Sequence, residues 1–305
     1  MRCSASRAAR FRSTEGEWSE VRMSDQHTWD IKYLPGKHFS EGGKGCLNRH
    51  QPFKENDPCS HQWQGYQRAL SDKGLYNWPA YQSLSVEVRK KRHFFMETFW
   101  FIAQKTHPPK QGEWDLEYEF KNRKKTTMKN FRTNASTPYW HEAHHIVPNS
   151  ELRNAIRYVG EGHKLAGTII LMVRGGLMGE GYNLNDKRNM IILPMDKKVS
   201  LALGLPRHRK TRTTRSHKGY SKHVLALLKD VFNPLKEKVE ECKGKLPKYK
   251  KCRKRIEKIS KDLYPKIVEA GEKMKTKGRS QAIDDMKASD FKNDPPETKA
   301  NYDDV

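Results

Sequence analysis

TPYWHEAHHIVPNS, residues 137–150, is the stretch on which the reading of this chain turns. It places two histidines, His144 and His145, side by side in a short run bounded by Pro138 and Pro148. Ile146 and Val147 are β-branched and favour an extended backbone. The flanking prolines leave little room for a helix. Consecutive side chains on a strand project to opposite faces. A histidine pair near a strand end can therefore divide two tasks, one imidazole holding a divalent metal while its neighbour takes a proton from water.

The segments that follow are patterned to support such a site. Asn149 or Ser150 can cap a helix in which Leu152, Ile156 and Val159 share a face. The glycine-rich stretch 175–181 reads as a flexible connection between hairpin strands, and it lacks the Lys-Ser/Thr ending of a phosphate loop. Asn189–Leu193 reads as a strand ended by Pro194. A short amphipathic helix is expected over Lys197–Leu203. Another begins near Lys218, with Tyr220, Val224, Leu227, Leu228 and Val231 as its apolar stripe. His208 and His217, just before that helix, are the candidate partners of the histidine pair.

Four blocks, AHHIVP, NMIILP, LPRH and SHKGY, stand in that order over residues 136–233. Together they resemble the AHH branch of the HNH/endonuclease VII nuclease superfamily. The resemblance implies an α+β chain with a ββα-metal core and flanking, mainly helical segments. It implies His145 as general base, His144 as metal ligand, and His208 and His217 as further ligands of one divalent ion (Mg²⁺, Mn²⁺, Zn²⁺ or Ni²⁺). Asn189 would hold the active-site loop by hydrogen bonds. The chain departs from the family in one respect: eight residues, RKTRTTRS, separate His208 from His217. That spacing does not fit one helical turn. Either a basic loop is inserted between two ligands or one of the two is not a ligand, with His223 a weaker substitute. Arg209, Lys210, Arg212 and Arg215 in that loop are suited to clamping phosphates.

Composition agrees with a polyanionic substrate. Lysine and arginine number 60 against 36 acidic residues, a formal net charge of +24. Such a surplus points to nucleic acid, with DNA as the expected substrate and RNA as the other. No apolar stretch reaches the ~18 residues of a membrane span. The five cysteines are an odd and sparse set, which suits free thiols rather than a disulfide framework. Cys46, His50, Cys59 and His61 are zinc-ligand residue types at unusual spacings, and scattered polar and thiol residues are the preferred account of them.

The chain divides by pattern into a poorly ordered leader (1–45), an aromatic-rich, partly helical region (46–135), the nuclease segment (136–233) and a basic helical extension with a polar, acidic tail (234–305). The Arg- and Ser-rich start has some transit-peptide character and no secretory core. Residues 84–104 are predicted helical from Val88, Phe95, Phe99 and Ile102. WDLEYEF (114–120) is predicted to be a strand, and 121–132 a basic connector. Ile256, Ile259, Leu263 and Ile267 mark a further amphipathic run, which Pro247 and Pro265 are expected to interrupt, and the end from Asp284 is expected to be disordered.

Two other readings compete. HEAHH (141–145) fits the H-E-x-x-H zinc-protease pattern, which requires a helix there. A basic protein that binds nucleic acid without cutting it would share the charge. Many relatives of the resembled family are toxic tips of bacterial secreted toxins. That implies an immunity protein and a secretion apparatus or adaptor as partners, with export from the bacterial cytoplasm into target cells without a signal peptide. The other setting is a cytoplasmic housekeeping, phage or mobile-element endonuclease.

Overall fold

The computed structural model describes residues 25–49, 53–78, 80–81, 91–96, 99–104, 112–121, 125–132, 137–209, 218–240 and 248–291. The fold is α+β: helices gathered around short antiparallel hairpins. The central hairpin pairs β5 (His141–His145) with β6 (Met190–Pro194), in a register that sets His144 opposite Ile191 and His145 opposite Met190. All five β6 residues are buried. A run of this kind, apolar on both faces, marks a strand covered on both sides.

Helix α2 (His61–Ser71) packs on one face of the hairpin. It starts at Ser60, whose hydroxyl accepts from the Trp63 amide. It approaches closely because Gly65 meets Ala143: a methyl group on Gly65 would sit 3.0 Å from the Ala143 Cβ. On the other face lies α6 (Lys218–Glu240), whose Tyr220 hydroxyl donates to the Ile146 carbonyl at 2.5 Å. Helix α3 (Asn149–Val159), inserted after β5, packs against α6 through Leu152, Ile156 and Val159, all buried. The expected stripe of α6 is buried at Tyr220, Val224, Leu228 and Val231, with Leu227 packed against it.

Several expectations are corrected. Residues 166–179 form a helix, α4 (Ala166–Gly179), which runs through Gly175 and Gly176. The glycines serve contact rather than flexibility: a Cβ on Gly176 would lie 2.3 Å from the ring of Tyr249, and one on Gly175 would lie 2.9 Å from Leu34. Helix α5 spans Lys197–Leu203 as expected and ends on Gly204 in the left-handed region, φ +63°. Helices α6 and α7 (Tyr249–Thr276) continue through Pro234 and Pro265, carried by the packing of their apolar faces. Residues 25–45, expected to be unordered, include α1 (Asp25–Tyr33). Its buried Asp30 pairs with the Arg174 guanidinium of α4, and Asn48 Nδ2 donates to the same carboxylate at 2.7 Å.

The predicted helix over 84–104 is instead a hairpin, β1 (Lys91–Met96) with β2 (Phe99–Gln104); its aromatic-rich sequence suits the extended state. Residues 82–90 lie outside the described ones. The predicted strand 114–120 is a strand only at its end, β3 (Glu119–Lys121). With β4 (Thr127–Lys129) it turns the expected connector into a hairpin. Near the C-terminus, Ile283, Met286 and Phe291 are buried rather than disordered. Residues 292–305 lie outside the described ones. One hydrophobic cluster runs from Leu47 to Phe291, and α6 crosses the position where the nuclease segment was expected to end.

Candidate active site

Strand alternation separates the histidine pair. Ala143 and His145 face α2, where the His145 ring stacks on His61 with centroids 5.4 Å apart. Glu142 and His144 face the other side, where His144 meets His208 (centroids 5.1 Å) and Tyr220 (5.5 Å). The H-E-x-x-H reading fails here, because His141 and His145 lie on a strand and not on one turn of a helix.

His145 is held in one tautomer. The Asn185 side chain donates through Nδ2 to the Asn48 carbonyl at 2.8 Å, so its Oδ1 faces His145 Nε2 at 2.9 Å. Nε2 therefore carries the proton and donates it, which leaves the lone pair on Nδ1. Burial, reinforced by the charge of Arg49 and only partly offset by Asn185, lowers the imidazole from 6.5 to about 3. His145 is neutral at ordinary pH and able to accept a proton.

Asn189 fastens the chain that leaves β5. Its Oδ1 accepts from the Val147 amide at 2.7 Å and from the Ser260 hydroxyl of α7 at 2.7 Å. Its Nδ2 donates to the carbonyls of Leu184 (2.8 Å) and Val147 (3.2 Å). The side chain is consumed by the loop.

His208 reaches the site from the loop after α5. Its backbone amide donates to the Pro194 carbonyl at 2.8 Å. Arg207 is bracketed by backbone hydrogen bonds to Gln281 and Ile283. His208 Nδ1 lies 2.8 Å from Glu142 Oε2, and Arg209 Nη2 lies 2.7 Å from the same oxygen. Burial alone would raise the Glu142 carboxyl, but the His208 hydrogen bond and the charges of Arg209 and Arg49 outweigh it and hold the group at about 2. A carboxylate on Nδ1 directs the Nε2 lone pair of His208 outward, the arrangement found behind metal-binding imidazoles.

A cavity of about 170 Å³ lies beside the hairpin, against His141, Glu142 and Ala143 of β5 and Ile192 of β6. Arg49, Arg132 and Arg209 line it with His61, His141 and Glu142. The buried Nε of Arg49 makes no hydrogen bond among the described residues. His141 Nδ1 donates to the Tyr139 carbonyl at 2.9 Å. Burial lowers its pKa to about 4.

Of the residues singled out from sequence, His144, His145, Asn189, His208 and Arg209 come together here. Lys210, Arg212, Arg215 and His217 lie outside the described residues. His223 instead stacks on Phe291. The sequence reading missed Asn185, Arg49, Arg132 and His61. Asn185 could have been found, since it stands four residues before Asn189 in the loop that leads into the NMIILP block. The other three carry no local signal.

Residues 126–263 match AHH, described as a nuclease family of the HNH/ENDO VII superfamily with conserved AHH. This segment is similar to the AHH nuclease family. The conserved AHH corresponds to Ala143-His144-His145, and the geometry accounts for each letter: an alanine for the close approach of α2, and two imidazoles on opposite faces. The matched segment begins before the 136 expected from sequence and includes the first half of α7, which supplies Ser260. Comparison with curated proteins and with solved structures returned no match.

Proposed function

We propose that this chain is a metal-dependent endonuclease that hydrolyses phosphodiester bonds of DNA, with His145 as its general base. The observation that carries the reading is the fixed, neutral His145 stacked on His61, which itself lines the arginine-rich cavity. On this reading the scissile phosphate is taken into the cavity beside β5, with His145 on the α2 side of the strand and His144 and His208 on the other. Nδ1 of His145 takes the proton of the attacking water, while the donated Nε2 proton keeps the ring in register. Arg49 and Arg132 bind the phosphate and offset the charge that develops on it. Arg209 is shared between Glu142 and that phosphate. Lys210, Arg212 and Arg215 extend the contact along the backbone.

The donor set fits a divalent ion. His144 and His208 face one another and His208 is backed by a carboxylate, with His217 proposed as a further ligand on sequence grounds. Such an ion, when bound, supplies Lewis-acid stabilisation of the phosphate and the leaving oxygen.

Plasmid cleavage by the purified chain with Mg²⁺, Mn²⁺, Zn²⁺, Ni²⁺ or EDTA, beside His145→Ala, tests this. Metal-dependent nicking that the variant loses, with DNA affinity kept, is expected. Binding without cleavage of DNA or RNA under every metal overturns it. For the biological setting we propose a bacterial effector with a cognate immunity protein, supported by the resemblance of its motif blocks to secreted toxin tips. Expression in the cytoplasm should kill, and the neighbouring gene should rescue; growth without rescue favours the housekeeping or mobile-element setting.

A further inference from the structure

We propose that His27, His38, Cys46 and Cys59 form a structural zinc site, separate from the nuclease centre, that fastens the N-terminal segment to the catalytic hairpin. Ligand atoms of His27, His38 and Cys46 all lie within 4.8 Å of one another. The two imidazoles converge, Nε2 to Nε2, at 2.9 Å. Cys59 Sγ lies 3.4 Å from the same His38 nitrogen. A tetrahedral zinc, with bonds of about 2.0 Å to nitrogen and about 2.3 Å to sulfur, holds its donors roughly 3.3–3.8 Å apart. Small adjustments of four side chains therefore complete the shell. Two thiolates and two imidazoles in that geometry select zinc over harder divalent ions.

The surroundings are those of a built site. His38, Cys46 and Cys59 are buried. His38 Nδ1 lies 2.8 Å from the Ser40 hydroxyl. Metal on Nε2 requires Nδ1–H to donate there, in place of the contact from the Ser40 amide at 3.1 Å. The return of the chain from His38 to Cys46 depends on glycine: Gly42 has φ +80°, and a Cβ on Gly43 would fall 2.2 Å from the Lys37 backbone. The spacing, H-x10-H-x7-C-x12-C, lacks the short pairs that mark zinc knuckles in sequence. The proposed site shares only its two cysteines with the sequence set Cys46, His50, Cys59 and His61. His61 turns instead to His145, and His50 lies outside the described residues.

Binding exchanges two thiol protons for one Zn²⁺, so loading releases protons and no redox step is involved. Each ligand belongs to a different piece of the chain: α1, the turn after it, a segment bridged to Asn183, and the residue before the cap of α2. Cys46 Sγ also lies 3.7 Å from Nδ2 of Asn185, the residue that orients His145. The ion thus braces the support of the general base without touching substrate.

The full-length protein, purified under reducing conditions, should retain one zinc per chain through dialysis against a weak chelator and release it when a mercurial modifies the thiols. Cobalt(II) loading should give a thiolate-to-cobalt charge-transfer band and the intense red bands of a tetrahedral ion. Cys59→Ser and His27→Gln should lose that spectrum, whereas His144→Ala should keep it. Reduced wild-type protein that neither holds zinc nor gives the thiolate band overturns the proposal, whatever the variants do. So does a Cys46–Cys59 disulfide in protein purified without reductant, or a spectrum that survives both Cys59→Ser and His27→Gln. None of these readouts depends on nuclease activity, so the two readings fail separately.

Discussion

Asn185 stands between the Asn48 carbonyl and His145, donating to the first at 2.8 Å and accepting from Nε2 of the second at 2.9 Å. This fixes which imidazole nitrogen is basic. Asn185→Ala should reduce cleavage by roughly 10–100-fold, part of the ~10²–10⁴ of a positioned base, with DNA affinity unchanged. Asn185→Asp would set a carboxylate on Nε2–H and favour the imidazolium, so the acid limb of the pH–rate profile should move to higher pH. An unmoved profile in the aspartate variant would remove Asn185 from the mechanism.

Asn189 satisfies buried backbone groups on two segments. Asn189→Ala strands the Val147 amide and the Leu184 carbonyl, at a cost of about 2–4 kcal/mol. Asn189→Asp restores only the acceptor, because a carboxylate does not donate to Leu184. Urea denaturation should rank wild type above aspartate and alanine; equal midpoints for all three would show that the loop does not depend on this side chain.

Arg49 lines the cavity, and its buried Nε makes no hydrogen bond among the described residues. Arg49→Gln should weaken DNA binding and lower the salt slope, d log K/d log[salt], by about 1 in magnitude, the value for one phosphate contact. If affinity falls but the slope does not change, the arginine acts on the fold and not on phosphate.

His141 is buried and titrates at about 4 when folded, against 6.5 for a free imidazole. Its folded pKa is depressed, so the unfolded chain binds the extra proton between those values. Its contribution is complete above pH 6.5 and disappears as pH falls toward 4, about 3 kcal/mol in all. Thermal unfolding from pH 4 to 7 should show this slope, reduced in His141→Gln. A variant as acid-sensitive as wild type would place the titration elsewhere.

The hairpin and its flanking helices were legible because local pattern and tertiary environment agree there: the HEAHH run, the buried Met190–Pro194 strand and the 218–231 stripe each bury what their period predicts. The glycine-rich 175–181 misled because glycine signals freedom in isolation, whereas Gly176 makes room for Tyr249, which lies in another helix. Pro265 misled in the same direction, since a long helix with a buried face tolerates an interior proline that a short one would not, while Pro247 lies outside the described residues. Within the site, strand alternation foretold that His144 and His145 would part. Arg49, Arg132 and His61 reach the cavity from outside residues 136–233, and no spacing rule connects them to the histidine pair.

The contact of Gly65 with Ala143 bears on how this gene can be rearranged. A fragment cut to residues 126–263 would keep every letter of the AHH signature, yet it would expose the Ala143–His145 face to water and lose the His61 ring stacked on His145. The nuclease is therefore not a cassette to be moved between carriers by recombination at its signature borders. A productive exchange must carry the upstream residues from α1 to α2 along with it, and shuffled genes that leave them behind should encode inert proteins.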